Sequence, residues 1–253
     1  MSSSFHVVIP ARFAASRLPG KPLVEVGGQP LIRWVFECAR ASGAASVIIA
    51  TDDERIAEAA RSFGAQVALT SARHASGTDR IADVVRARGL ATDAIVVNLQ
   101  GDEPLIPPRL LADLAAALEE RPQSDIATAV APILTLEEFL DPSCVKALGA
   151  RDGSALYFSR APVPWPRDGA PGGRPAVYRD AWRHIGIYAY RVRSLLQFAA
   201  WPPTCLERTE KLEQLRALEY GMRIHLMQLT QAPPAGVDTP EDLERVRALL
   251  HRP

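Results

Sequence analysis

Three cysteines in 253 residues, Cys38, Cys144 and Cys205, stand far apart, with neither pair spacing nor metal spacing. That scarcity argues against a disulfide scaffold and fits a reducing compartment. An excess of either charge is also missing: 29 Lys plus Arg face 29 Asp plus Glu. No bulk field for nucleic acid or an anionic membrane follows, so an anion site must come from local clusters of cations. No apolar run approaches the length that spans a bilayer. Only a short apolar stretch, Phe5–Ile9, follows the first residues, and no basic leader precedes it, so a signal peptide is not expected. A soluble, cytoplasmic protein without nucleic-acid binding or membrane insertion is the expectation. The glycine patterns of the Walker A loop and of the dinucleotide turn are absent, as is zinc spacing among the histidines. No internal repeat is evident.

What is present is an apolar fraction of 47%, enough for a large core, and an alternation of strand and helix patterns. Phe5–Ile9 reads as a buried strand. Leu31, Ile32, Val35, Phe36 and Ala39 recur at helical spacing. Val47–Ala50 is a second strand, followed by a helix through Ile56, Ala60 and Phe63. Gln66–Leu69 is a third strand, and Ile81, Val84 and Val85 mark another helix. Ala94–Leu99 is the strongest strand pattern and runs into a polar turn, Gln100–Glu103, before a helix over Leu110–Leu118. Strands interleaved with helices predict an α/β fold: three layers, with a mostly parallel mixed sheet covered on both faces.

The rhythm changes afterwards. Ile126–Ile133, Val145–Leu148, Ala155–Phe158, Arg183–Tyr190 and Arg223–Gln228 read as strands, with Asp152-Gly153 as a hairpin turn. Ala161–Pro175 carries five prolines and three glycines and reads as a loop or arm. Helices are expected around Leu206–Leu218 and over Pro240–Leu250. One domain is expected, with a nucleotide-binding half near residues 1–130 and a small substrate and dimerisation lobe in residues 131–253.

The first strand runs into Pro10, Ala11 and Arg12 and then into Arg17 and Gly20-Lys21. Ligands of α/β sheets bind beyond the carboxyl ends of strands. Three cations within ten residues there, Arg12, Arg17 and Lys21, suit phosphate oxygens, arginine as a fork and lysine as a point charge. A solvated basic loop is the alternative, but the prolines and glycine after a buried strand favour an anion site. Ser76, Gly77 and Arg80 precede and open a helix, where exposed backbone N–H groups can meet an anion or a base carbonyl. A helix cap by Ser76 or Thr78 is an equally good reading and compatible with that one. Asp102 ends the strongest strand region. Asp238 precedes Thr239-Pro240, a helix start that Asp242 completes as a cap.

The chain resembles sugar nucleotidyltransferases, and among them the CMP-Kdo synthetases, where Kdo is 3-deoxy-manno-octulosonate. The resemblance rests on the loop just described, on His74-Ala75-Ser76-Gly77-Thr78-Asp79-Arg80, on Val97–Pro104 with its Gly101-Asp102-Glu103-Pro104 run, on Ala155–Arg160, on Arg183–Tyr188 and on Gly236–Leu243. Their joint occurrence in this order is specific, and the Gly101–Pro104 run favours the Kdo branch over the sialate branch. The resemblance implies transfer of CMP from CTP to Kdo with loss of pyrophosphate, for lipopolysaccharide synthesis. It implies Mg²⁺ held by Asp102 and Asp238, with Lys21 sharing the catalytic work. It further implies a homodimer, to which the Ala161–Pro175 arm is a candidate contributor, and base and ribose recognition by the Ser76–Arg80 loop and Gln100. A sugar acid needs a fork-shaped cation and hydrogen-bonding side chains, and Arg160, His184, Tyr188, Glu210 and Gln214 are the candidates. Glu210 and Gln214, four apart, are expected on one helix face. By residue type alone, His184 reads better as a satisfied polar group on a sheet. Two rivals stay open: CMP transfer to another acid (an 8-amino Kdo analogue or sialate), and a nucleotide-binding regulatory module without catalysis.

Overall fold

The computed structural model describes residues 4–14, 18–74, 76–167 and 181–250. In chain order its elements are β1 (Phe5–Ala11), a 3-10 turn (Lys21–Leu23), β2 (Glu25–Val26), β3 (Gln29–Pro30), α1 (Leu31–Ala41), β4 (Ser46–Thr51), α2 (Glu54–Ser62), β5 (Gln66–Leu69), α3 (Gly77–Ala87), β6 (Ile95–Asn98) and α4 (Pro108–Glu119). There follow β7 (Ile126–Pro132), α5 (Leu136–Leu140), β8 (Lys146–Gly149), β9 (Ala155–Ser159), β10 (Trp182–Arg191), α6 (Val192–Ala200), α7 (Cys205–Glu210), α8 (Gln214–Glu219), β11 (Ile224–Gln228) and α9 (Pro240–Leu250).

The chain divides into two compact units. The first comprises residues 1–116, 190–199 and 233–253; the second comprises 117–189 and 200–232. This differs from the expected division near residue 130. The C-terminal segment returns to the first unit because Val237, Leu243 and Val246 of α9 and its lead-in share a core with Val26 and Leu31. Burial of such side chains is worth roughly 1.5–3 kcal/mol each, which fixes α9 firmly.

In the first unit β1 runs parallel to β4 and to β6, and β4 runs parallel to β5. Val7, Val8 and Ile9 are fully buried, as expected of a central strand with both faces covered. Helices α1, α2 and α3 pack against these strands. Asp53 caps α2 by accepting from the Arg55 backbone N–H at 3.0 Å. A short antiparallel pair, β2 with β3, was not anticipated; two-residue strands carry no readable period. In the second unit β11 runs parallel to β7, while β8 runs antiparallel to both β10 and β9. The Asp152-Gly153 turn lies where expected, between β8 and β9. The α/β class with a mostly parallel mixed sheet is therefore observed.

One helix expectation fails. The stretch expected as one helix around Leu206–Leu218 is two short helices, α7 and α8, because Lys211 adopts the left-handed conformation at φ 55° and ends α7. Glu210 closes one helix and Gln214 opens the next, so they do not share a face. The short helices α5 and α6 also went unread. Of the proline-rich segment Ala161–Pro175, residues 168–175 lie outside the described residues, as does Arg17.

Helix α9 tests how local chemistry positions Asp238. Asp242 accepts from the backbone N–H of Asp238 at 3.1 Å and of Thr239 at 3.0 Å, while Thr239 Oγ1 accepts from Asp242 N at 3.2 Å. Losing this reciprocal cap in Asp242→Ala should cost about 1 kcal/mol, read as a lower denaturation midpoint. An unchanged midpoint would mean that packing alone fixes the start of α9.

Candidate active site

The carboxyl ends of β1 and β6 open onto a cavity of about 200 Å³ lined by Pro10, Ala11, Arg12, Lys21, Gly77, Gln100 and Asp102, among others. Sequence reading had named all seven. The loop entering from β1 is closed by local bonds: Gly20 N donates to Phe13 O at 2.9 Å, and Gly20 adopts a left-handed φ of 70° that favours glycine. A side chain at Gly20 would also press on the Phe13 ring, 3.2 Å away. Phe13 is itself covered by the Arg55 guanidinium, 3.4 Å from its centroid. This geometry delivers Lys21 to the cavity at the start of the 3-10 turn.

The Lys21 ammonium donates to Asp102 Oδ2 at 2.6 Å, to the Val237 carbonyl at 2.7 Å and to Asp238 Oδ1 at 3.3 Å. Two carboxylates from segments 136 positions apart by subtraction thus meet on one cation. The Lys21 side chain is 12% exposed, against 32% for Asp102 and 54% for Asp238, so both acids keep a wet face. The backbone supports the meeting: Val237 N donates to Asp102 O at 2.8 Å. Gly236 permits it, since a Cβ there would lie 2.6 Å from Asp102 O and 2.8 Å from the Glu103 carboxyl carbon. This role of Gly236 is not legible in the sequence, because close approach of two backbones leaves no trace in composition.

Ser76 does cap α3. Its hydroxyl accepts from Asp79 N at 3.1 Å and Asp79 Oδ2 accepts from Ser76 N at 3.1 Å. Gln100 Nε2 donates to buried Asn98 Oδ1 at 3.2 Å. Its Oε1 then lies on the Gly77 side, 3.9 Å from where a Cβ of Gly77 would stand. Arg80 is fully buried, donates to Thr70 Oγ1 and lies 3.3 Å from Asp52 Oδ2. Burial depresses its pKa; Asp52 opposes that shift and Arg12 adds to it. Asp52, at the carboxyl end of β4, was not singled out by sequence, although strand-end carboxylates are a readable signal.

The sugar-acid candidates all belong to the second unit. Glu210 accepts from Ser159 Oγ at 2.7 Å and from Arg160 N at 2.9 Å. Arg160 Nε donates to the Glu210 carbonyl at 2.7 Å and its Nη1 to the Pro142 carbonyl at 2.9 Å. Arg160 and Glu210 are thus brought together, each held by the other's backbone. His184 Nε2 lies 3.0 Å from Thr128 Oγ1, which donates to the Ile187 carbonyl at 2.7 Å. That hydroxyl has one proton, so we assign the ring N–H to Nε2. The imidazole packs edge-on against Phe158 at 5.0 Å and tilted against Tyr188 at 5.4 Å. Although His184 keeps some accessible surface, desolvation of the ring pushes its pKa down to about 3. Gln214 is 7% exposed, and its Nε2 has no hydrogen-bond partner among the described residues.

Strand-end cations, a half-buried amide beside a helix start and a convergent carboxylate pair thus meet at one cavity. The chain belongs to the cytidylyltransferase family, whose model matches residues 6–224. It is 54% identical over 237 residues to the 3-deoxy-manno-octulosonate cytidylyltransferase of Pseudomonas fluorescens, covering 92% of each chain. It is 52% identical over 228 residues to that of Cellvibrio japonicus, covering 89% of each. Among solved structures, a CMP:2-keto-3-deoxy-manno-octonic acid synthetase complexed with CTP matches at 41% identity and a TM-score of 0.89, over 98% of both chains. A cytidylyltransferase from Leptospira borgpetersenii, at 17% identity and a TM-score of 0.62, shares the fold.

Two outcomes follow. Gly236→Ala should separate Val237 from Asp102 and so lower turnover more than stability, which paired kinetics and thermal melts will resolve; normal turnover would show that the segment relaxes freely. For His184 the folded pKa is depressed below the unfolded value near 6.5. The unfolded chain therefore binds more protons below that pH, and stability present above it is lost as pH falls towards 3. Unfolding of the wild type between pH 6 and 4 should take up about one more proton than unfolding of His184→Asn. Equal proton uptake in the two proteins would place the ring in water.

Proposed function

We propose that this protein joins CMP from CTP to 3-deoxy-D-manno-octulosonate, releasing pyrophosphate and giving CMP-Kdo for lipopolysaccharide synthesis. The observation that carries the reading is the Lys21–Asp102–Asp238 convergence at the strand ends. The relatives' names and the CTP bound to the 41%-identical structure support it.

Within the first unit, Pro10, Ala11, Arg12 and Lys21 border the triphosphate, with Arg17 continuing the same loop in sequence. The Ser76–Gly77 backbone and the Gln100 carbonyl face the base and ribose. Buried Arg80 sustains positive potential near Arg12, which favours an anion. In the second unit, Arg160, His184, Tyr188, Glu210 and Gln214 serve the sugar acid. The buried Gln214 Nε2 offers a donor to a hydroxyl or carboxylate, and neutral His184 offers Nδ1 as an acceptor. The anomeric hydroxyl of Kdo attacks the α-phosphorus in line and pyrophosphate leaves. The protein's task is to hold two anions together and offset the charge on the phosphorus oxygens.

The donor set fits Mg²⁺. It offers two hard carboxylates, each partly open to water, and no group of three or more His, Cys, Asp or Glu that could hold a metal ion occurs among the described residues. Magnesium is usually held by one or two carboxylates, with phosphate and water completing its shell. Asp102 and Asp238 would hold it, and when bound it supplies charge neutralisation at the phosphates.

The same reading makes the protein a cytoplasmic homodimer. Exposed Leu134, Leu140, Leu156 and Trp165 on the second unit support a partner surface, and no helix among the described residues is long and apolar enough to cross a membrane. The test is pyrophosphate release with each of the four nucleoside triphosphates, with and without Kdo, its 8-amino analogue and sialate. Release should require CTP and Kdo together. Release that ignores the acid, or that prefers sialate, would overturn the assignment.

A further inference from the structure

Lysine offers three N–H donors on a compact, strongly hydrated charge. In Lys21 all three find protein oxygens: the Asp102 carboxylate at 2.6 Å, the Val237 carbonyl at 2.7 Å and the Asp238 carboxylate at 3.3 Å. The side chain is nearly buried while both acids stay partly exposed. A phosphate-binding lysine is expected to point its ammonium at the phosphate position; this one points at the two acids. It lies between the very oxygens that a divalent ion would take.

We propose that Lys21 is the resident counter-cation of the Asp102–Asp238 pair, and that a divalent ion is held there only when a triphosphate has drawn the ammonium away. The inference rests on the reading of the two acids as metal ligands. Its physical basis is exclusion. Magnesium needs carboxylate oxygens at about 2.0–2.1 Å, and an ammonium already bonded to the same oxygens repels a second cation and competes for their lone pairs. A triphosphate offers Lys21 another anion of higher charge. The four-carbon stem can swing, while the backbone of the 3-10 turn stays anchored by the bonds of Gly20 and by Val24 N donating to Lys21 O at 3.1 Å. Metal and nucleotide are then coupled through one side chain, and the coupling is reciprocal. Lys21 also acts as a positioning residue: it keeps two like charges in register, so the metal site is already assembled when the nucleotide arrives.

The experiment measures Mn²⁺ binding by electron paramagnetic resonance, with no turnover involved. Without nucleotide, Lys21→Met should bind Mn²⁺ about tenfold tighter than the wild type or more. The added affinity should vanish in Lys21→Met/Asp102→Asn. Lys21→Gln, which keeps a donor for the Val237 carbonyl, should show the same gain and guards against misfolding of the methionine variant. In the wild type, CTP should raise Mn²⁺ affinity much more than in Lys21→Met. Equal or weaker Mn²⁺ binding by both folded Lys21 variants would overturn the proposal and leave Lys21 as a structural clamp. Mn²⁺ binding with CTP that ignores Asp102→Asn would instead remove the metal reading itself, and the proposal with it; the two failures appear in different titrations.

Discussion

The Lys21 ammonium joins three stretches of chain that would otherwise leave two carboxylates facing each other. Its bonds are unequal. The contact with Asp102 is short and only partly open to water, and charge-assisted hydrogen bonds contribute about 1.5–3 kcal/mol in general, less where solvent screens them. The contact with Asp238 is longer and more than half exposed on the acid's side, so water screens it and it adds little stability. The placement of Asp238 therefore depends less on its charge than on covalent neighbours. Val237 is bonded to Asp102 through the backbone and buried in the core beneath α9, and Gly236 lets the two backbones touch. Electrostatics sets what the site can hold; packing sets where it is.

The second unit follows another principle. Several of its polar groups are closed upon themselves: Arg160 with the Glu210 carbonyl, the Glu210 carboxylate with Ser159 and the Arg160 N–H, and His184 with Thr128. Even fully buried Lys146 donates to the carbonyls of Asp141 and Cys144 at 2.7 and 2.5 Å. Such satisfied networks hold side chains in fixed geometry. The loop of residues 141–144 is gripped twice, by Lys146 through Asp141 and Cys144, and by Arg160 through Pro142.

Sequence alone carried the β1, β4 and β6 strands, because buried parallel strands leave short apolar runs, and it carried the more exposed β5 as well. It also carried Arg12 and Lys21 after β1 and Asp102 after β6, because chemistry at strand ends leaves a local signature, while the pairing of Asp238 with Asp102 was implied by the family resemblance. It did not carry the break at Lys211: a left-handed lysine looks in sequence like any helical lysine, and so Glu210 and Gln214 seemed to share a face. Nor did it carry the burial of Arg80 beside Asp52, or Thr128 beneath His184, since each depends on which strands become neighbours. The return of residues 233–253 to the first unit was half legible. The cap formed by Thr239 and Asp242 could be read; the destination of the helix could not.

That return bears on synthesis of the chain. Lys21 and Asp238 are 217 residues apart, and their first unit is interrupted by the whole of the second. Contacts of such separation form late and slowly, after a large loop has closed. On the ribosome, Lys21 and Asp102 emerge early and can pair, but α9 arrives only after every strand of the second unit has been made. A nascent chain halted before Pro233 would present an open cavity edge, with Val26 and Leu31 lacking the side chains that cover them, and would be a natural target for chaperones or proteases.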